Sequence, residues 1–159
     1  MSKKLRVLSI IAASTLVAGV AIAPAAQAGT KQKVCVALDT AGINDKSFNQ
    51  TSYDGAKAAL KAGYASTIQY LPAKSGSDYA PNIQKFVDGK CTLIIGIGFA
   101  LGDAINASAK ANPGIKYAIV DNGSGGANVK GITFNTNENS FLMGYLACLL
   151  YTSPSPRDQ

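Results

Sequence analysis

Apolar and polar positions along this chain follow two rhythms that take turns. Residues 33–38 (KVCVAL) form a short β-rich apolar run and read as a strand. Over residues 47–62 the positions Phe48, Tyr53, Ala56, Ala59 and Leu60 recur near helical spacing, and Gly63 is a stop. Residues 67–71 (TIQYL), closed by Pro72, are a second strand. Residues 78–87 are a second helix, in which Pro81 is tolerated because it falls in the first turn. Residues 92–97 (TLIIGI) are a near-continuous apolar run, as expected of a strand buried on both faces. Residues 99–111 are Ala-rich and helical, ending at Asn112-Pro113-Gly114, and residues 116–120 (KYAIV) are a fourth strand.

The loop DNGSGGAN then leads to a fifth strand at residues 129–134. That loop is too short for a helix, so the direction of the fifth strand stays open, because a parallel crossover usually needs more chain. TNENSFLMGYLA opens a last helix, with Thr136 or Asn137 as its cap and Phe141, Leu142 and Tyr145 facing inward. Strands alternating with helices imply an α/β fold with a largely parallel, Rossmann-like sheet flanked by helices.

Both ends of the chain break this pattern. Lys3, Lys4 and Arg6 precede an apolar run over residues 7–22, and Ala26-Gln27-Ala28 is a small-x-small cleavage site. Residues 1–28 are therefore expected to be a secretory signal, with the mature protein starting near Gly29. At Cys148 the helical pattern gives way to CLLYTSPSPRDQ, two prolines and a polar tail where a helix was continuing. That run resembles the in-frame translation of a common transposon-end sequencing adapter from Cys148 through Asp158, so residues 148–159 are expected to be foreign. Residues 29–147 remain as one truncated lobe.

Of the 159 residues, 47% are hydrophobic and 15% charged, which suits a packed domain rather than a disordered chain. Residues 29–147 carry a net charge of +3, scattered singly, so a nucleic-acid partner is not expected. The absence of His removes the commonest general base and the commonest metal ligand. The three Cys lack C-x-x-C spacing, so no metal is expected. Cys35 and Cys91 lie in or beside two strands of an exported protein; they pair if those strands are neighbours and otherwise stay as buried thiols.

In an open parallel sheet, ligands bind outside the carboxyl ends of the strands. Asp39, the Gly98-Phe99 pair, Asp121-Asn122 and Asn135 follow successive strands and so share one rim. The other rim carries Lys31, Lys33, Lys90, Lys116 and Lys130. In the first loop, LDTAGINDKSFNQ, Gly42 supplies a turn, Asp45 or Ser47 caps the helix, and Ser47 with Gln50 has capping-box spacing. Capping leaves Asp39, Asn44, Phe48 and Asn49 unexplained. An aromatic ring at the rim can stack on a base, and the carboxylates and amides beside it can hold polar groups. GIGFALG follows the third strand rather than the first, so close helix packing at Gly98 and Gly102 accounts for it better than a dinucleotide does. No paired carboxylates or nucleophile-base couple points to catalysis or to a cofactor.

DTAGINDKSFNQTSYDGAKAA, IIGIGFALGDAI, YAIVD and NVKGITFNTNENSFLMGYLA together resemble the basic membrane protein family, extracytoplasmic substrate-binding proteins of ABC importers. The resemblance implies a type I periplasmic-binding-protein fold whose two lobes enclose a purine nucleoside in the better-known members. It implies polar contacts from Asp39, Asn49 and Asp121, base stacking by Phe48, and a cleft lined by the Gly98-Phe99 turn. The expected partners are a nucleoside-like ligand and a membrane permease, the protein itself being a monomer, exported and held near the membrane by its transporter. The signal ends Ala-Gln-Ala without the Cys of many family lipoproteins, which argues against a lipid anchor. The second lobe is expected to be missing, leaving half a cleft with little or no binding of its own. An exported nucleoside-acting enzyme and a surface sensor on the same fold are the competing readings.

Overall fold

The computed structural model describes residues 30–123 and 125–151; the expected signal and residues 152–159 of the expected tail lie outside them. The elements run β1 Gln32–Ala37, α1 Phe48–Lys61, β2 Ala65–Leu71, α2 Tyr79–Asp88, β3 Leu93–Ile97, α3 Gly102–Ala111, β4 Lys116–Val120, β5 Val129–Ile132 and α4 Thr136–Tyr151. One five-stranded sheet has the order β2-β1-β3-β4-β5, with all four pairings parallel. The α/β architecture with helices on the sheet is therefore the one expected from the sequence.

Period-two alternation divides the sheet's side chains between two cores. Cys35 and Ala37 of β1 join Ile83 and Phe86 of α2 and Leu101, Ile105 and Ala109 from the α3 side. Val34, Val36 and Leu38 face the other way, toward Ala56 and Tyr53 of α1. Gly96 decides how closely α3 approaches: a Cβ there would lie 2.8 Å from the Ile105 side chain. The close approach expected at Gly102 is present, where a Cβ would run into the Asn122 side chain, and Gly96 adds a second one, while Gly98 faces Asp39.

Cys35 and Cys91 form a disulfide, Cα atoms 6.1 Å apart, joining β1 to the residues just before β3. The pair is possible because β1 and β3 are neighbours. Gln69 of β2 donates its amide toward both sulfurs, at 3.0 and 3.2 Å.

β5 runs parallel to β4, which settles the direction that sequence spacing left open. An extended chain advances about 3.3 Å per residue, enough for residues 121–128 to return along so short a strand without a helix. Asn128 secures the return by donating its amide to the carbonyls of Ala109 and Ile115, each at 3.0 Å.

The last helix departs from expectation. Phe141, Leu142 and Tyr145 are 72%, 62% and 59% exposed instead of facing inward, and no residue of α4 is buried. Met143, Leu146 and Leu149 are exposed as well, so apolar residues lie all round the helix and no single stripe directs it onto the sheet. The helix also continues through Cys148 to Tyr151, past the point where its pattern was expected to stop, since leucines carry it on. Asn135, preceding the first helical residue, donates to Glu138 at 3.2 Å in the place expected for Thr136 or Asn137.

The disulfide closes a loop with a sequence separation of 56. Replacing both cysteines by Ala is expected to lower unfolding free energy by about 4 kcal/mol through freed unfolded-state entropy. Urea unfolding of the two forms measures it; equal midpoints would contradict a stapling role.

Candidate ligand-binding site

In the order β2-β1-β3-β4-β5, successive connections leave β1 in opposite directions along the sheet. The loops after β1 and β3 therefore part at the carboxyl edge, which is where ligands settle in doubly wound sheets. Asp39 stands on one side of this gap and Gly98 on the other. Gly98 has φ +93°, and a Cβ on it would come within 3.2 Å of Asp39 Oδ2, so both conformation and space call for glycine.

The loop from Asp39 to α1 distributes its polar groups in a definite way. Asp39 Oδ1 accepts the Ala41 amide at 2.9 Å and the Asn49 side-chain amide at 2.6 Å. Its second oxygen has no hydrogen-bond partner among the described residues and lies at the Gly98 gap. Asn49 is fully buried, and its own Oδ1 has no partner among the described residues. Ser47, the expected capping-box residue, makes no side-chain cap. Asp45 does that work: Oδ1 accepts the amides of Ser47 and Gln50, and Oδ2 that of Asn49, at 2.9 to 3.0 Å. Lys46, at φ +52°, turns the chain so that these amides converge on one carboxylate. Desolvation pushes the Asp45 carboxyl up, but the combined hydrogen bonds from Gln50, Asn49 and Ser47 outweigh it and hold its pKa below the usual value.

Phe48, the first residue of α1, is 45% exposed and lines a cavity of about 310 Å³ with Ser47, Thr51, Ser52, Val120 and Phe134. The rings of Phe48 and Phe134 meet edge to face, centroids 5.7 Å apart. Asp121, just past β4, has φ +66°, a conformation that few residues besides Gly, Asn and Asp take readily. Its amide donates to the Ile132 carbonyl at 2.8 Å. Phe99 is 71% exposed at the β3 exit, where Asn122 donates to its carbonyl at 3.2 Å. Asn44 is exposed in the first loop; of the expected ligand residues only Phe48 lines this cavity, and Asp39, Asn44, Asn49, Gly98, Phe99 and Asp121 do not. Neither rim carboxylate, Asp39 or Asp121, has an ion-pair partner among the described residues, which also hold no acidic, Cys or His cluster fit for a metal.

Asn122 was placed on the rim from the sequence, but Phe134 was not picked out. Phe134 was read as the end of the fifth strand, which in the structure stops at Ile132, and its partner Phe48 lies far away in the chain.

The model of the family described as "ABC transporter substrate-binding protein PnrA-like" matches residues 31–154. The chain belongs to this Bmp family. One relative, the ABC transporter nucleoside-binding protein BmpA of Lactococcus lactis subsp. cremoris, is 37% identical over 124 residues, covering 74% of this chain and 35% of its own length. Basic membrane protein A of Borreliella burgdorferi is 33% identical, with 74% and 35% covered. A crystal structure of an ABC transporter solute-binding protein from Aeropyrum pernix aligns with TM-score 0.66 and 25% identity over 74% of this chain and 32% of that one. The chain thus spans about a third of the length of these Bmp-family relatives. Uncharacterised lipoproteins are among the further relatives. No helix among the described residues is long and apolar enough to cross a membrane.

Asp45 supplies a test of the loop. Its carboxyl is held below the unfolded value of 3.8, so its contribution to stability is present above that pH and is lost as pH falls through the folded pKa. Asp45→Asn is expected to lower Tm at pH 7, with the gap to wild type closing below pH 3.8. A gap independent of pH would remove the carboxylate's charge from the account.

Proposed function

We propose that this chain is part of an exported solute-binding protein that captures a purine nucleoside, or a similar small polar solute with a planar ring, and delivers it to an ABC permease. The observation that carries this reading is that one rim holds both a half-exposed Phe48 ring, in its own cavity, and the carboxylate of Asp39, whose Oδ2 has no hydrogen-bond partner among the described residues. The printed name of the Lactococcus relative, a nucleoside-binding protein, agrees with that chemistry.

Phe48 stacks on the base. Asp39 and Asp121 accept hydrogen bonds from ring N–H or sugar hydroxyl groups, and the Gly98-Phe99 turn lines the cleft, with Asn44 at its outer edge. Asn49 acts through Asp39: buried and bonded to Oδ1, it fixes the carboxylate with its other oxygen beside Gly98. Two carboxylates without cationic partners repel a phosphate, so the neutral nucleoside is favoured over its nucleotide. The 310 Å³ cavity is at the low end for a small-molecule site, in keeping with one wall of a cleft completed by chain outside residues 30–151.

The protein works as a monomer with neither cofactor nor chemistry of its own. Residues 1–28 export it and are removed, and residues 148–159 are an adapter-encoded tail.

Melting shifts of the full-length reading frame with inosine, guanosine and inosine monophosphate test the proposal. The two nucleosides are expected to raise Tm, and the monophosphate to do so far less. Phe48→Ala is expected to weaken inosine binding about 5- to 100-fold, the range for losing one base stack. Unchanged affinity would take Phe48 out of the site, and hydrolysis of inosine to base and sugar would make the protein an enzyme.

A further inference from the structure

Phe134 lies within the family motif NVKGITFNTNENSFLMGYLA without an assigned role there, and it is in direct contact with the proposed stacking ring. It follows β5 on the three-residue connection to α4, 49% exposed, and its carbonyl accepts the Thr136 amide at 2.9 Å. Two residues earlier the Ile132 carbonyl holds the Asp121 amide, so the same short stretch of backbone is tied to a rim carboxylate.

A phenylalanine at a helix start with nearly half its surface in solvent has little to fix its ring. Neither Ser47 nor Thr51, its neighbours along the cavity wall, offers a flat or bulky surface. Phe134 does: the interplanar angle of 66° at 5.7 Å is the edge-to-face geometry that aromatic quadrupoles favour. Such a contact takes up at most one face of the Phe48 ring and leaves the other for a planar ligand.

We infer that Phe134 is a positioning residue that holds the Phe48 ring ready for stacking, making the site selective for ligands with a planar aromatic base. The inference rests on the reading of Phe48 as the stacking ring.

A double-mutant cycle on the full-length reading frame, titrated with inosine, tests this. Phe134→Ala is expected to weaken binding about threefold to tenfold, from the usual worth of an aromatic pair. Phe134→Tyr, which keeps the ring, is expected to restore affinity to within about twofold of wild type. In a Phe48→Ala background, Phe134→Ala is expected to add almost nothing, because its effect passes through the missing ring. Losses that multiply in the double mutant, or a Phe134→Ala protein that binds like wild type, would overturn the inference. Should Phe134→Ala fail to fold, Phe134→Leu replaces it in the same cycle with the same expectations. Binding of inosine by wild type with no effect at Phe134 sinks this inference alone. Absence of any inosine binding by wild type sinks the nucleoside reading and this inference with it.

Discussion

The placement of β1 between β2 and β3 is the constraint on which the rest depends. Parallel pairing on both sides makes β1 the most enclosed strand: Cys35, Val36, Ala37 and Leu38 have essentially no exposed surface. It also forces the chain to leave β1 in one direction for β2 and return past it to β3, which opens the carboxyl edge between Asp39 and Gly98. The disulfide reinforces the same β1–β3 seam from its other end. Stability and site thus share one origin, with the staple at the amino end of the seam and the gap at the carboxyl end.

At that gap the first loop separates two kinds of polar work. Asp45 gathers three backbone amides and starts α1, while Asp39 commits one oxygen to Ala41 and Asn49 and holds the other beside Gly98. Asn49 links the two, since its backbone amide belongs to Asp45 and its side chain to Asp39. A buried amide in that position turns the start of a helix into a support for a rim carboxylate. Phe48, next in sequence to Asn49, is carried to the cavity by the same turn of helix.

Much of this was readable from the chain. Periodicity located every strand and helix to within a few residues, and the position of polar residues just after strands marked the rim before any coordinates. The misses have specific causes. Ser47 and Gln50 have capping-box spacing, but the left-handed turn at Lys46 hands the cap to Asp45. The glycine that lets Ile105 of α3 onto the sheet is Gly96 within β3, which was not singled out, whereas Gly102 makes a close approach to Asn122 as expected. The inward face assigned to Phe141, Leu142 and Tyr145 failed because α4 leaves the sheet instead of folding onto it.

By itself the sequence determined the α/β class, the family motifs, and which residues stand at strand exits, since these follow from local spacing and from the identity of neighbouring residues. The tertiary structure alone decided that Cys35 meets Cys91, that β5 is parallel to β4, that Asn49 is spent on Asp39, and that Phe134 backs Phe48. Each of these is a contact between residues brought together by strand order or by a loop's path. Periodicity along the chain carries no information about which strand lies beside which, and that is the physical reason the division falls there.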